Sequence, residues 1–145
     1  MKMKTKVAVL GGAAAMACAC RLLPPQGALT FNPDYVVFQP RIGILGDVIQ
    51  VKSTGVIPVT ITGVEIDVDD PGTGTTDIVK TVDSPKSCLH PVTSNASVAF
   101  RVLNPGQSCE VVLEVAKIDR AGKGELRLVD EDGRIYAMEV KVTQQ

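Results

Sequence analysis

The fold is decided by residues 48–67, which read VIQVKSTGVIPVTITGVEID. Val48–Lys52 and Val59–Thr62 alternate apolar and polar residues, a pattern typical of β-strands with one buried face. Val64–Asp67 alternates on the opposite parity, and Gly63 stands where the parity changes. One extra residue in a strand produces this change. The segment therefore predicts short strands with a β-bulge at Gly63.

The same pattern continues along the rest of the chain. From Leu29 onward no stretch of ten residues shows helical spacing, and short runs of Val, Ile and Thr alternate with turn residues. Seven to eight strands of this kind predict an all-β, immunoglobulin-like sandwich over residues 29–145. Further strands are predicted at Tyr35–Phe38, Ile78–Val82, Val98–Val102, Cys109–Val115, Glu125–Val129 and Ile135–Val142, with loops at Val68–Asp77 and Pro85–Pro91.

Two of these strands indicate which residues form the core. In Cys109–Val115, every second residue from Cys109 is apolar, so this set shares one face. The last two strands form a hairpin around Asp130–Gly133. Its expected core residues are Leu126, Leu128, Met138, Val140 and Val142.

Residues 1–19 have the layout of a bacterial secretory signal, because three lysines precede the uncharged run Val7–Ala17. That run is too short to cross a bilayer. Residues 15–18, Ala-Met-Ala-Cys, resemble the lipobox of bacterial lipoproteins, in which the cysteine is acylated, and residues 17–20 offer a second register. Lipidation at Cys18, lipidation at Cys20 and an ordinary cleavage all stay open. Residues 20–28 are predicted to be a tether, or an edge segment along the sheet.

Composition excludes several classes of function. Lys and Arg total 15 against 16 Asp and Glu, so the chain has no basic excess that would favour nucleic acid. Only 3% of residues are aromatic and there is one His, which leaves few stacking platforms and few groups that titrate near neutral pH. We therefore expect no enzyme activity, no cofactor and no nucleic-acid partner.

Three segments resemble a known family. Residues 31–62, from Phe31-Asn32-Pro33 through Gly43 and Gly46 to Thr62, are similar to the opening of ASPM–SPD-2–Hydin (ASH) type immunoglobulin-like domains, relatives of the pilus-chaperone fold. Leu103–Val111 and Gly122–Leu126 resemble later parts of the bacterial form. Ser53, and Val115-Ala116-Lys117, depart from the family pattern. The resemblance implies a non-enzymatic module that docks onto other proteins.

The bacterial members of this family resemble the present chain in its cysteine pair, which implies a disulfide between Cys88 and Cys109. A loop of that size would stabilise the fold by about 3 kcal/mol. A zinc or redox site that adds His90 is the alternative, although the chain has no Cys-x-x-Cys motif.

Two further groups were candidates for chemistry. His90, near Ser84 and Ser87, is the one available base for a hydrolase triad, but no Gly-x-Ser-x-Gly turn accompanies it, and a surface-loop histidine is favoured. The acids Asp67, Asp69 and Asp70, with Gly72, resemble a calcium loop, yet Ile78 stands where a bidentate Glu is required, so solvated loop acids are favoured. The sequon Asn95-Ala96-Ser97 is interpreted as a chance match.

These observations predict an exported, non-enzymatic structural or interaction module, anchored by an N-terminal lipid, in a bacterial envelope assembly such as a secretion, conjugation, pilus or adhesive structure. Its expected partners are other envelope proteins or copies of itself, joined by edge-strand pairing. The expected location is periplasmic or cell-surface, at the outer membrane. The alternative is a soluble periplasmic or secreted module that binds a ligand or carbohydrate.

Overall fold

The computed structural model describes residues 27–91, 98–99 and 101–144. The predicted signal at residues 1–19, both lipidation candidates, the sequon and residues 20–26 of the predicted tether lie outside the described residues.

Two sheets, antiparallel except for one strand pair, form most of the described part of the chain. The four-stranded sheet has the order β1-β3-β9-β5, and the five-stranded sheet has the order β2-β11-β10-β4-β8, in which β2 pairs parallel to β11. A two-stranded ladder joins β6 and β7. The strands are β1 (Leu29–Asn32), β2 (Tyr35–Phe38), β3 (Gly46–Ser53), β4 (Val59–Asp69), β5 (Val79–Val82), β6 (His90–Pro91), β7 (Val98–Ala99), β8 (Arg101–Leu103), β9 (Ser108–Val115), β10 (Gly122–Asp130) and β11 (Ile135–Val142).

The inner faces of the two sheets enclose one hydrophobic core, so the chain is an all-β sandwich consistent with an immunoglobulin-like fold, as the sequence predicts. Buried and exposed residues alternate along β9 and β11, because successive side chains of a strand point to opposite faces. The predicted core residues of β9, and those of the final hairpin, are all buried: Cys109, Val111, Leu113, Val115, Leu126, Leu128, Met138, Val140 and Val142.

The predicted bulge is also confirmed. Gly63 pairs with Val129, whereas the next residue of β10, Asp130, pairs with Ile61, so Thr62 is the extra residue on β4. The bulge lets β4 continue as one strand of 11 residues through the change of parity.

Some predicted boundaries were wrong. Val68 and Asp69 belong to β4, because they pair with Gly124 and Lys123 of β10, and the loop begins only at Asp70. A strand at Leu29–Asn32 was missed, because its four residues show no clear alternation without their partner β3. The predicted strand Val98–Val102 is divided between β7 and β8, around a residue that is not described.

Candidate functional site

The outer side of β5 is an open strand edge. β5 lies at the end of the four-stranded sheet, next to β9, and no described residue forms a strand on its other side. Near one end of β5, Ile78 donates its N–H to the carbonyl of Val68 in β4 at 3.1 Å, which ties the two sheets together there. Beyond this bond, toward Val82, the two sheets are joined by no such backbone bond in the described residues.

The pairing with β9 shows which backbone groups of β5 face outward. Ala116 donates to the carbonyl of Ile78 at 2.8 Å, so this carbonyl points toward β9 and the N–H of Val79, in the same planar peptide unit, points away from β9. Hydrogen-bonded pairs alternate with non-bonded pairs along an antiparallel ladder. Val79 and Thr81 are therefore non-bonded toward β9. Val79 is buried, whereas Thr81 is exposed and directs its N–H and C=O groups to the open edge.

A cavity of about 170 Å³ lies at this edge, and we call it the edge groove. Its lining comes from β4, β5, β9 and the loop after β5: Val64, Thr81, Val82, Asp83, Ser87, Leu89, Val111 and Val112. Val64 and Leu89 are only half-buried although they pack against the core, and Val82 is 38% exposed. The groove is therefore an opening of mixed polar and apolar lining, beside backbone groups of Thr81 that have no partner strand among the described residues, and an added strand could use both.

The disulfide fixes one wall of the edge groove. Cys88 and Cys109 are bonded to each other, 4.9 Å apart at Cα, and both are buried. The backbone continues the attachment, because Cys88 donates to the carbonyl of Glu110 at 3.1 Å and Glu110 donates to that of Lys86 at 2.8 Å. The loop after β5 is thus held against the first half of β9, and its Leu89 is positioned in the groove wall.

The disulfide also bears on the alternative of a zinc or redox site at Cys88, His90 and Cys109. Both sulfurs are joined, so neither cysteine is available as a thiolate ligand beside His90. Among the described residues no group of three or more metal-binding side chains comes together.

Both serines of the hydrolase alternative contact other groups. Ser84 donates its hydroxyl to the Glu110 carboxylate, and the Ser87 hydroxyl accepts from the N–H of Leu89 at 3.2 Å. The first contact joins the loop after β5 to β9, and the second lies within that loop. His90 lies in the short strand β6.

The residues of the predicted calcium loop are divided between a strand and a turn. Asp67 and Asp69 lie on β4. The Asp70 carboxylate accepts from the N–H of Gly72 and the hydroxyl of Thr73, at 2.9 and 2.8 Å, and the Thr73 bond is the main reason that the pKa of Asp70 is lowered. A hydrogen bond with Asp67 raises the pKa of Asp69. The acids therefore close a turn or face solvent, as solvated loop acids do.

The sequence did not predict the polar cluster around Asp130. Asp130, expected as a turn residue, is the last residue of β10, and its side chain is 2% exposed. Its carboxylate accepts from the N–H groups of Asp132 and Arg134, both at 2.9 Å, from the Tyr136 hydroxyl at 3.2 Å and from the Arg134 guanidinium at 3.1 Å. These donors satisfy the buried carboxylate of Asp130, so the cluster stabilises the fold.

The same cluster holds the start of the described chain. Arg134 donates to the carbonyl of Gly27 at 3.2 Å, the Tyr136 hydroxyl lies 3.4 Å from the same oxygen, and Thr54 donates to the carbonyl of Ala28 at 3.0 Å. Gly27 is buried against Val59. The last two residues of the predicted tether are therefore fixed to the sandwich.

Arg127 organises the exposed face of the five-stranded sheet. Its guanidinium lies 3.4 Å from Glu65, 3.6 Å from Asp67 and 3.3 Å from Glu125. The hydrogen bond with Glu125 is the main reason that the pKa of Arg127 is raised. The cluster lies at the surface, where the positive charge of Arg127 offsets the negative charges of the three acids.

Tyr35 is the most exposed of the described aromatic side chains. It is 61% exposed on β2, whereas Phe38 is fully buried. Phe31 and Tyr136 pack partly against the core.

Sequence reasoning found the cysteines and the strands that frame the site, but it missed the edge groove and the buried Asp130. The groove depends on where β5 ends relative to β4, and no local pattern encodes that relation. An available indication for Asp130 was its place immediately before a Gly-containing turn, where Asp accepts hydrogen bonds from the backbone that follows it.

Fold and site together define an all-β, disulfide-bonded sandwich with an open strand edge. No protein-family model matches the chain, and no curated protein matches its sequence. Several solved structures are distantly similar to the chain, among them two bacterial enzymes. One is the secreted serine protease VesC from Vibrio cholerae, at 11% identity and a TM-score of 0.41, over 88% of this chain and 24% of that one. The other is a family 123 glycoside hydrolase from Clostridium perfringens, studied for glycolipid glycan hydrolysis, at 9% identity and a TM-score of 0.46, over 84% and 27%.

The present chain spans about a quarter of the length of either protein. No helix in the described residues is long and apolar enough to span a membrane.

Proposed function

We propose that this protein is a non-enzymatic interaction module of the bacterial envelope, exported by its N-terminal signal and anchored by a lipid on Cys18 or Cys20. It docks onto other envelope proteins or onto copies of itself through the open edge of β5. The assembly it serves is a secretion, conjugation, pilus or adhesive structure, most simply at the outer membrane. The ASH-type resemblance of residues 29–142 supports a docking role.

The edge groove is the observation that carries the proposal. Thr81 is exposed and offers a backbone donor and acceptor without a partner strand in the described residues, and Val64 and Leu89 stay half-buried beside it. A strand added to β5 would satisfy the backbone groups of Thr81 and cover Val64 and Leu89.

The disulfide is compatible with export, because such bonds persist in oxidising compartments. The attachment of Gly27 to Arg134 and Tyr136 supports a tethered arrangement, because it gives the preceding chain a fixed exit from the domain.

Two measurements test the proposal. Intact-mass analysis of the mature protein should find a diacylglyceryl group on Cys18 or Cys20. A photo-crosslinking amino acid at Thr81 should capture an envelope protein or a second copy in intact cells, whereas the same probe at Ile135, which is 62% exposed on another strand, should not. An unmodified N-terminus together with equal capture from both positions would reject the proposal.

The exposure of Tyr35 favours a second candidate, a module that binds carbohydrate through an aromatic platform. Glycan-array binding that is lost in Tyr35→Ala and kept in Thr81→Pro would support this candidate over edge docking.

A further inference from the structure

Two neighbouring loops at one end of the sandwich expose large aliphatic side chains. Residues 39–45 join β2 to β3, and residues 116–121 join β9 to β10. Four of their side chains form a group that we call the apolar tip: Ile42, 65% exposed, Ile44, 41%, Leu45, 39%, and Ile118, 60%. We propose that the apolar tip inserts into the surface of a membrane that contains anionic phospholipids. This membrane contact is additional to docking at β5 and does not depend on a lipid at Cys18 or Cys20.

The two loops form one surface. Val115, which precedes the second loop, donates its N–H to the carbonyl of Leu45 in the first loop at 2.8 Å. A cavity of about 340 Å³ lies between the loops, and its lining comes from both of them and from Gln144: Pro40, Arg41, Ile118, Asp119 and Gln144. The exposed aliphatic side chains are therefore neighbours, and an exposed apolar patch of this kind marks an interaction site.

The backbone of the first loop is bonded within the loop. Gln39 and Ile44 exchange two hydrogen bonds, at 2.9 and 3.1 Å. Ile42 donates to the carbonyl of Gln39 and Gly43 donates to that of Pro40, both at 3.1 Å. The loop thus directs its aliphatic side chains outward while these backbone groups already have partners.

The second loop is closed by a side chain from outside it. The amide of Gln144 donates to the carbonyls of Ile118 and Arg120, both at 2.9 Å, and Arg120 donates its N–H to the carbonyl of Lys117 at 3.3 Å. A protein that adds a strand uses open backbone groups, whereas the apolar part of a membrane supplies no hydrogen-bond partner. Bonded backbone beneath bare aliphatic side chains therefore favours a membrane as the occupant.

The charges beside the apolar tip favour an anionic membrane. Each of the two most exposed isoleucines directly follows a cation, in Arg41-Ile42 and in Lys117-Ile118. Among the described residues no acid forms an ion pair with either cation. The Lys117 ammonium donates to the carbonyl of Thr76, which is neutral and leaves the charge in place. Cations at this position are attracted by the negative surface potential of anionic lipids.

The apolar tip is more basic than the rest of the domain. Its two loops carry three cations, of which the third is Arg120, against one acid, Asp119. Arg120 also faces Asp70 of the neighbouring turn and helps to lower the pKa of that carboxyl. In residues 27–145 as a whole, acids outnumber basic residues. The local excess of positive charge thus coincides with the exposed aliphatic side chains.

The proposed lipid anchor is compatible with this contact. The described chain enters the sandwich at the other end, because Leu29 pairs with Ser53, the last residue of β3, whereas Leu45 precedes the first. The 8 residues of β3 span about 26 Å. An extended chain from Cys18 or Cys20 to Gly27 reaches at most about 23–32 Å. This reach matches the length of β3, so a lipidated chain can bring the apolar tip to the same membrane.

Co-sedimentation with vesicles tests the contact. The chain with Cys18→Ser and Cys20→Ser, purified after removal of its signal, carries no acyl group at these positions. It should pellet with vesicles of phosphatidylethanolamine and phosphatidylglycerol, and less with phosphatidylcholine vesicles or at high salt. Adding Ile42→Ser and Ile118→Ser should weaken binding about tenfold or more and keep the melting temperature, because both side chains are exposed. Val56→Ser is the matched control: it changes a 75% exposed side chain at the other end of the sandwich and should bind as before.

Tryptophan fluorescence tests which end enters the membrane. The chain contains no Trp, so Ile118→Trp introduces a single probe. Its emission should shift to shorter wavelength on the anionic vesicles and be quenched by brominated acyl chains, whereas Val56→Trp should show neither change. Equal responses from the two probes would overturn the inference, because the membrane would then not be contacted through the apolar tip.

Two further results would also overturn it. One is vesicle binding that Ile42→Ser and Ile118→Ser leave unchanged. The other is a chain that binds none of the vesicles; if a photo-crosslinking amino acid at Ile118 then captures an envelope protein, the apolar tip docks onto protein instead. Capture at Thr81 is measured separately, so failure of the membrane contact leaves docking at β5 in place, and failure of that docking leaves the membrane contact in place.

Discussion

Arg134 lies 3.1 Å from Asp130, a carboxylate that is almost fully removed from solvent. Removing the carboxylate would leave the backbone N–H groups of Asp132 and Arg134 without this acceptor. Because unsatisfied buried donors each cost about 1–3 kcal/mol, we expect Asp130→Ala to lower the free energy of unfolding by about 3 kcal/mol or more. Chemical denaturation measures this change.

Asp132 offers the matched control for that experiment. It accepts one contact from Arg134 at 3.4 Å but is 69% exposed, so Asp132→Ala should change the free energy of unfolding by less than about 0.5 kcal/mol. Equal losses in the two variants would contradict a special role for the buried acid.

The disulfide should stabilise the fold, because it closes a loop in the unfolded chain and so lowers the entropy of that state. Cys88 and Cys109 are separated by 21 residues, for which the chain-entropy relation gives about 3 kcal/mol. We expect the double variant Cys88→Ala/Cys109→Ala to unfold at a correspondingly lower denaturant concentration. Reductant should destabilise the parent chain in the same way and leave the double variant unchanged. A reductant effect of similar size in the double variant would show that this bond is not its source.

Gly124 allows a test of the contact between β10 and β4. A Cβ at this position would overlap the carbonyl oxygen of Asp67 on the neighbouring strand, and backbone cannot move aside as a flexible side chain can. Gly124→Ala should therefore cost about 1–3 kcal/mol, as overpacking does. Gly72→Ala, whose Cβ would meet only the side-chain oxygen of Asp70 at 3.3 Å, should be nearly neutral. Thermal denaturation of both variants checks the difference, and a stable Gly124→Ala would contradict the register of this pair.

Local sequence patterns predict the strands, but they do not predict the edge groove or the buried position of Asp130. The alternation around Gly63 predicted both the strands and the bulge, because side-chain parity is a property of the strand itself. The edge groove depends on long-range geometry, namely that Ile78 bonds to Val68 while Val64 lies opposite no described strand of its own sheet on that side. Asp130 was assigned to the turn because sequence alone does not show that Tyr136 and Arg134 converge on it.

Tyr136 makes the fold sensitive to alkaline pH. Burial, and next the hydrogen bond to Asp130, raise the pKa of the Tyr136 hydroxyl above its ordinary value of 10.0. The folded state thus holds this proton more tightly than the unfolded state, so the resulting stability is complete below pH 10 and is lost as the pH rises through the folded pKa. Denaturation between about pH 8 and 11 should show a fall in the free energy of unfolding that is steeper in the parent chain than in Tyr136→Phe, which keeps the ring but cannot titrate. Lysines titrate in the same range in both proteins, so the difference between the two curves isolates the tyrosine, and parallel curves would show that its proton is not held by the fold.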